Sequence, residues 1–332
     1  MIRLVVPPTK RPATVSELSD LVKSHKNEDV VSRLGDLKLE QDKLLVKSMS
    51  SSAGLAVRES GMRDLLSHLG MPYHYANAIP NDLLYDSVNR LLHTYGDFEV
   101  MVRSQDGEVR GILSPSYVKL DSSDLTSRLR KAAEVGLIPA RILYDGDSLT
   151  ASFVSDQKVT AVDKGDITQI GVALSTSDID RFQLSAEAYL YRLVCTNGAV
   201  LPVSMGGGVS FSQKKVNPDT VWDIFDKGYQ RILERMSQTD SEFLIRLQNK
   251  KVDANGWIRT KDKLSKFASG RRMAEVLKNM ELEAKERGTD FNFYDIYNAI
   301  TQTARDEASL YTAQNLEKAA GDLLYSFGTD RN

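Results

Sequence analysis

Few side chains in this chain are equipped for bond-making chemistry. The only cysteine, Cys195, lies in the stretch RLVCTNGAVLPVSMGGGVSF (192–211), beside an Asn-Gly pair and three consecutive glycines. A cysteine becomes a nucleophile when a base, most often histidine, comes within hydrogen-bond reach and its pKa is lowered. The four histidines, His25, His68, His74 and His93, all precede residue 94. None forms a His-x-x-x-His pair or neighbours a cysteine, so no metal ligand is expected. Cys195 reads instead as a core residue. Tyr189, Tyr191, Leu193 and Cys195 share one face of a strand, and Asn197-Gly198 is the signature of a two-residue hairpin turn. Gly206, Gly207 and Gly208 lack the Gly-x-x-x-x-Gly-Lys-Ser/Thr spacing that cradles phosphates, and read as a joint between sheet and helices. No catalytic residue and no cofactor is expected, and a cysteine-dependent hydrolase is the least favoured reading.

Binding chemistry has a stronger candidate. Residues 246–272, RLQNKKVDANGWIRTKDKLSKFASGRR, hold nine basic residues against two acidic ones, a local net charge of +7 in a chain whose total is −2. Lys250, Lys251, Arg259, Lys261, Lys263, Lys266, Arg271 and Arg272 stand beside Trp257, with Phe267 interleaved. Cations that track a phosphate backbone, with aromatic rings that stack bases, are the equipment of single-strand binding. The plainer alternative is a solvated helix face with Trp257 as a packing anchor. Arg103, Arg110, Arg141, Arg181 and Arg192, on or beside strands, would extend a basic surface if the strand register turns them outward.

The elements that must position these residues follow from period and punctuation. Thr14 with Glu17 three residues on has capping-box spacing and starts a short helix; the rest of residues 1–56 reads as a mixed-charge N-terminal arm. Met62, Leu65, Leu66 and Leu69, then Leu84, Val88, Leu91, Leu92 and Tyr95, form two helical apolar stripes closed by Gly70 and Gly96. The period then falls to two. Phe98, Val100 and Val102 alternate up to a turn at Asp106-Gly107, and a second hairpin turns at Asp145-Gly146. Between them a helix capped near Ser122 or Ser123 turns Leu125, Leu129 and Ala132 inward. From Val221 onward helical spacing resumes and runs toward the C-terminus. The expectation is an α+β fold, an antiparallel sheet built from hairpins around a helix and then a helical region, with segments 1–56, 57–213 and 214–332. The lack of βαβ alternation disfavours a doubly wound nucleotide-binding fold.

Composition narrows the class further. With 43 Lys plus Arg against 45 Asp plus Glu, no global charge calls for nucleic acid, so any such claim rests on the local patch. A lone cysteine excludes a disulfide framework, and the apolar run Leu4–Val6 is too short for a secretory signal. No stretch approaches the roughly 20 apolar residues of a membrane span, so a cytoplasmic protein is expected.

Four stretches, in order, resemble the phage/plasmid-like protein family that carries the domain of unknown function 932. LLSHLGMPYHYANAIPNDL resembles its upstream helix and Gly-x-Pro-x-x-Tyr segment, and VRGILSPSYVKLD its Arg-x-x-Leu-Ser-x-x-Tyr-x-x-Leu-Asp stretch. YLYRLVCTNGAV resembles its Arg-Leu-Val-Cys-Thr/Ser-Asn-Gly run, and YNAITQTA with LEKAAGDLL its C-terminal helices, so the resemblance touches most of residues 60–325. It departs at STSDID (175–180), where the family has Asn-Ser-Glu-x-Gly. The resemblance implies a phage or plasmid protein inside a bacterial host, acting in replication, recombination or defence. The α+β layout is in turn similar to phage single-strand annealing proteins, which assemble on single-stranded DNA without nucleotide hydrolysis. The expected function is thus a non-enzymatic, homo-oligomeric single-stranded-DNA-binding or annealing protein. The alternative is an interaction factor that counters a host defence system through a host protein partner.

Overall fold

The computed structural model describes residues 4–49, 54–160, 167–192, 197–200, 208–213, 217–235, 251–252, 254–266, 270–287, 292–307 and 309–329. In chain order they form α1 (Val15–Ser24), β1 (Asn27–Arg33), β2 (Leu37–Glu40), β3 (Lys43–Val46), β4 (Leu55–Val57), α2 (Glu59–His68), α3 (Tyr73–Ala78), α4 (Asn81–Thr94), β5 (Glu99–Gln105), β6 (Glu108–Leu113) and α5 (Ser122–Glu134). There follow β7 (Ile138–Tyr144), β8 (Ser148–Thr160), β9 (Ile167–Ser177), β10 (Leu184–Arg192), β11 (Asn197–Val200), β12 (Gly208–Phe211), α6 (Pro218–Arg235), α7 (Ala254–Ser265), α8 (Gly270–Arg287), α9 (Phe293–Asp306) and α10 (Leu310–Thr329). The fold is α+β, with antiparallel-rich sheets followed by helices.

The hairpins belong to two sheets. The first has the order β1-β5-β6-β4-β3-β2, and only the β4–β6 pair in it is parallel. Residues 27–57, which the sequence presents as part of an arm, supply four of its six strands. Strands of three or four residues, such as LAV and KLLV, are too short to display an alternation. Val57, Val100, Val102, Val109 and Ile112 pack with Met62, Leu65 and Leu66 of α2 and Val88 and Leu92 of α4 as one core. Asp106 (φ 52°) and Gly107 (φ 81°) both adopt the left-handed conformation that a tight β5–β6 turn requires.

The second sheet runs β11-β10-β9-β8-β7, all antiparallel, with β12 joining the same edge of β10 as β11. One face, including Tyr144, Phe153, Val172 and Leu174, packs against Leu18 of α1, Leu125 and Leu129 of α5 and Phe225 and Tyr229 of α6. The opposite face carries buried Ser152, Ser175, Ser185 and Glu187. There α10 lies on polar contacts: Gln314 Nε2 donates to Ser175 Oγ at 2.6 Å, Lys318 pairs with Glu187 at 2.8 Å, and Arg141 pairs with Glu317. A separate helical core joins Leu264, Val276, Phe293, Tyr297, Ile300, Leu316 and Leu323 from α7 to α10.

Two local expectations change. Asn197 and Gly198 are not a turn; they begin β11, opposite Arg192 and Tyr191. The chain therefore reverses before Asn197, and Cys195 lies outside the described residues, as do Gly206 and Gly207, while Gly208 opens β12. The N-cap of α5 is Asp121, and its first turn is satisfied from a distance by Asp178.

Candidate nucleic-acid interface

The strand arginines do not form a surface. Arg58, Arg103 and Arg110 are buried in a seam where β5 and β6 of the first sheet meet the loops of the second. Arg103 uses all five of its N–H donors. Nε and Nη2 donate to Asp29 at 3.1 and 3.0 Å, Nη1 and Nη2 to Asp121 at 2.8 and 2.7 Å, and Nη1 also to the carbonyl of Asp178. Arg58 donates to Glu108, Asp147 and Gln105 at 2.8, 2.6 and 2.9 Å. Arg110 donates to Asp178 Oδ2 at 2.8 Å and to the carbonyl of Gly146 at 3.1 Å. A bulge puts it there: the β5–β6 register shifts at Arg103/Ser104, so Val109 and Ile112 both join the first core while Arg110 points the other way. Arg181 likewise pairs with Asp64 at 3.2 Å. Turning a guanidinium inward is tolerable only against a matched carboxylate, and each of these has one. The expectation of an outward basic sheet fails for that reason at Arg103, Arg110, Arg141 and Arg181. The side chain of Arg192 lies outside the described ones.

The seam also gathers polar residues from two separate stretches of the sequence. Arg110, Tyr117 and Asp121 of VRGILSPSYVKLD meet Ser177 and Asp178 of STSDID. Tyr117 donates to the Ser177 carbonyl at 3.1 Å, and Asp178 Oδ1 accepts from Ser122 N and Oγ at 2.8 and 2.7 Å. Gly111 lets the turn approach: a Cβ there would stand 2.8 Å from Ile179 Cγ2. Electrostatics follow burial and pairing. Burial outweighs the Arg181 charge at Asp64 and pushes its carboxyl up to about 6. Burial with the Asp147 charge pushes Asp145 up to about 7. At Asp29 burial raises the pKa, but the hydrogen bonds and charges of Arg103 and Lys119 overcome it and hold the carboxyl below its usual range. At Arg103 burial lowers the pKa, but the hydrogen bonds and charges of Asp121 and Asp29 overcome it and raise it. Arg103 and Arg110 are fully buried and their carboxylate partners half-buried or buried, and together they join the two sheets.

The basic segment sits elsewhere, on the C-terminal helical lobe. Lys251, Lys261, Lys266 and Arg271 are exposed. Trp257 is half-buried against the helical core, and Lys261 Nζ stands 5.2 Å from its ring centroid. Arg272 pairs with Glu307 at the end of α9. Lys250 lies outside the described residues, as do the side chains of Arg259 and Lys263 and the whole of Phe267. The histidines stay apart in role: His25 Nδ1 meets Asp106 Oδ2 at 2.6 Å, and His68 Nε2 meets the Ile112 carbonyl at 3.0 Å. Among the described residues no cluster of His, Cys, Asp and Glu could hold a metal ion, and no helix is long and apolar enough to cross a membrane.

Next to Arg272, the Glu307 side of this lobe opens onto a cleft of about 600 Å³ between the N-terminal stretch 6–12, β7 and the adjoining ends of α9 and α10. Arg11, Arg141 and Arg305 line it. Arg11 and Arg305 escape a reading of local composition because they lie 294 residues apart. The proline punctuation of VVPPTKRPAT is the one sequence sign that the arm is an extended wall.

No family model, no curated protein and no solved structure matches this chain.

Proposed function

We propose that the protein is a non-enzymatic single-stranded-DNA-binding or annealing protein of phage or plasmid type, acting as an oligomer in recombination or replication inside a bacterial cell. The strand lies along the cationic surface of α7 and α8. The observation that carries this reading is the outward display of Lys251, Lys261, Lys266 and Arg271 on one lobe of a chain that buries Arg103 and Arg110 of its strands in ion pairs. Exposed ammonium and guanidinium groups release counterions when they neutralise phosphates, which makes such binding favourable and salt-dependent. Trp257 anchors α7 beneath these cations, so the reading leans on charge first and on stacking second. The four stretches that resemble the family of unknown function 932 support the phage or plasmid setting.

Fluorescence anisotropy with a labelled single-stranded oligonucleotide tests the proposal. Binding is expected at low salt, with the logarithm of the affinity falling linearly with the logarithm of salt concentration. The triple substitution Lys261→Ala, Lys266→Ala, Arg271→Ala is expected to weaken binding and to flatten that slope by about one unit for each phosphate no longer neutralised. Native mass measurement with and without the strand reads assembly. Absence of any association at low salt overturns the proposal.

A further inference from the structure

The first sheet has an open edge at β1. A strand edge presents a row of backbone N–H and C=O groups, and a fold either closes that row or leaves it to a partner. At two other edges the chain supplies the partner itself. Within β2, the side-chain amide of Asn89 donates to Leu39 O and accepts from Leu39 N, each at 2.9 Å. At β7, Lys10 and Tyr144 exchange backbone bonds of 2.7 and 3.0 Å. Among the described residues β1 pairs with β5 alone, and Asn27, Glu28, Val31 and Arg33 are exposed along it.

The side chains on this edge select what lies beyond it. Leu113 of β6, Met101 of β5 and Val31 of β1 stand opposite one another in register and form one apolar row across three strands. The row is buried at Leu113 and Met101, whereas Val31 at its end is 51% exposed. Such a row gains from each further apolar side chain placed directly opposite. Charge is ordered along the same strand, with Glu28 and Asp29 near its start and Arg33 at its end. An antiparallel neighbour of the same sequence sets the acidic end of each strand against the basic end of the other. A parallel one sets like charges side by side, which is destabilising. The edge is therefore complementary to itself in the antiparallel sense, as a two-fold interface requires. Further apolar surface lies at the end of β1. There Leu34 N donates to the carbonyl of Phe98, whose ring is 65% exposed and stands edge-on to Tyr95 at 6.1 Å.

We propose that two copies of this chain pair through β1, antiparallel about a two-fold axis at Val31, and so join their first sheets into one. Val31 then faces Val31 of the partner subunit, and the row from Leu113 through Met101 continues across the axis. This contact rests on the proposed function only for the expectation that the chain self-associates, and it uses no residue of α7 or α8.

Sedimentation and native mass measurement of the full chain over a range of concentrations test the proposal, and a monomer–dimer equilibrium is expected. Val31→Lys sets two ammonium groups face to face on the axis. It is expected to weaken the dimer by about tenfold or more and, at so exposed a position, to leave the circular dichroism of the chain unchanged. Cross-linking gives an independent reading. Facing residues of an antiparallel pair have Cα atoms roughly 4.5–5.5 Å apart, inside the roughly 4.4–6.8 Å that a disulfide spans. With Cys195→Ala as background, Val31→Cys is expected to form a disulfide-linked dimer under mild oxidation. Val6→Cys, exposed on the N-terminal stretch, is expected to cross-link far more slowly. The proposal is overturned by a chain that stays monomeric at every concentration, by a dimer indifferent to Val31→Lys, or by equal cross-linking at positions 31 and 6. Oligonucleotide binding by the α7–α8 surface, measured on the same preparations, is a separate readout: either property can fail while the other stands.

Discussion

The seam between the two sheets and the outer face of α7 and α8 are both rich in cations, and they use them in opposite ways. The seam cations are chiefly arginines: Arg58 and Arg103 each bind two carboxylates through several nitrogens, and Arg110 binds Asp178 through Nη1 alone. The outer face carries Lys261, Lys266 at the end of α7 and Arg271, all exposed to solvent, with exposed Lys251 just before α7. A buried charge needs partners placed in advance, and a planar group with five directed donors can be satisfied completely. A charge meant for a mobile polyanion gains from the opposite properties, a compact ammonium on a flexible stem that stays hydrated until the partner arrives. The most deeply buried cations of the seam, Arg58, Arg103 and Arg110, are thus all arginines, while three of the exposed cations of the basic segment are lysines.

The sharpest way to break this comparison is Arg103→Ala. It strands Asp29 and Asp121, and should lower stability by about 3–5 kcal/mol, as expected when one partner of a buried ion pair is removed. Urea denaturation reads this as a lower midpoint with an unchanged slope. A loss no larger than that of a surface substitution would mean that the seam does not hold the sheets. Asp178→Ala comes next. It removes the acceptor of Arg110 and of the first turn of α5, and a loss of roughly 3 kcal/mol in the same urea measurement is expected.

A smaller effect concerns pH. The carboxyls of Asp145 and Asp64 titrate at about 7 and about 6 in the folded chain, against an ordinary value of 3.8. Both values are raised, so the folded state holds its protons longer than the unfolded one. Their contribution therefore favours folding at low pH and is lost as pH rises from near 4 through 6 and 7. Asp145→Asn keeps a side-chain oxygen for the backbone N–H groups of Asp147 and Ser148, from which Asp145 Oδ1 accepts at 2.9 and 2.8 Å. It removes the titration, so the change in thermal midpoint between roughly pH 5 and 8 should shrink. The smallest effect on stability belongs to the outer face. Each alanine at Lys261, Lys266 or Arg271 should change stability by no more than about 0.5 kcal/mol, while the salt dependence of strand binding falls. A large loss of stability there would erase the contrast between the two regions.

Much of the fold was legible in the sequence. Asp106-Gly107 and Asp145-Gly146 do mark turns between strands, and the stripes of α2, α4 and α5 face the cores as their spacing predicts, apart from Tyr95, which is exposed beyond the end of α4. Of the four strands of residues 27–57, β2, β3 and β4 were not legible because three or four residues cannot show a period, and β1 was not because its polar sequence NEDVVSR carries no alternation. The Asn197-Gly198 signal misled because a dipeptide preference for tight turns yields to the pairing of the strand it sits in. At the candidate site, local composition picked out the basic segment, but it could not separate Arg272, held by Glu307, from the exposed Arg271.

By itself, then, the sequence determined the α+β class, the charge-rich segment 246–272 and the absence of βαβ alternation, because these depend on neighbours in the chain. Only the tertiary structure decided which arginines are interior. Asp29, Asp121, Asp147 and Asp178 span 149 residues and meet Arg58, Arg103 and Arg110 only after two sheets have formed and one bulge has turned Arg110 inward. The cleft has the same origin: among its lining residues are Pro7, Leu143, Arg305 and Leu310, from four separate parts of the chain. Local patterning records what a residue needs from its neighbours; partners this far apart in sequence are set by packing.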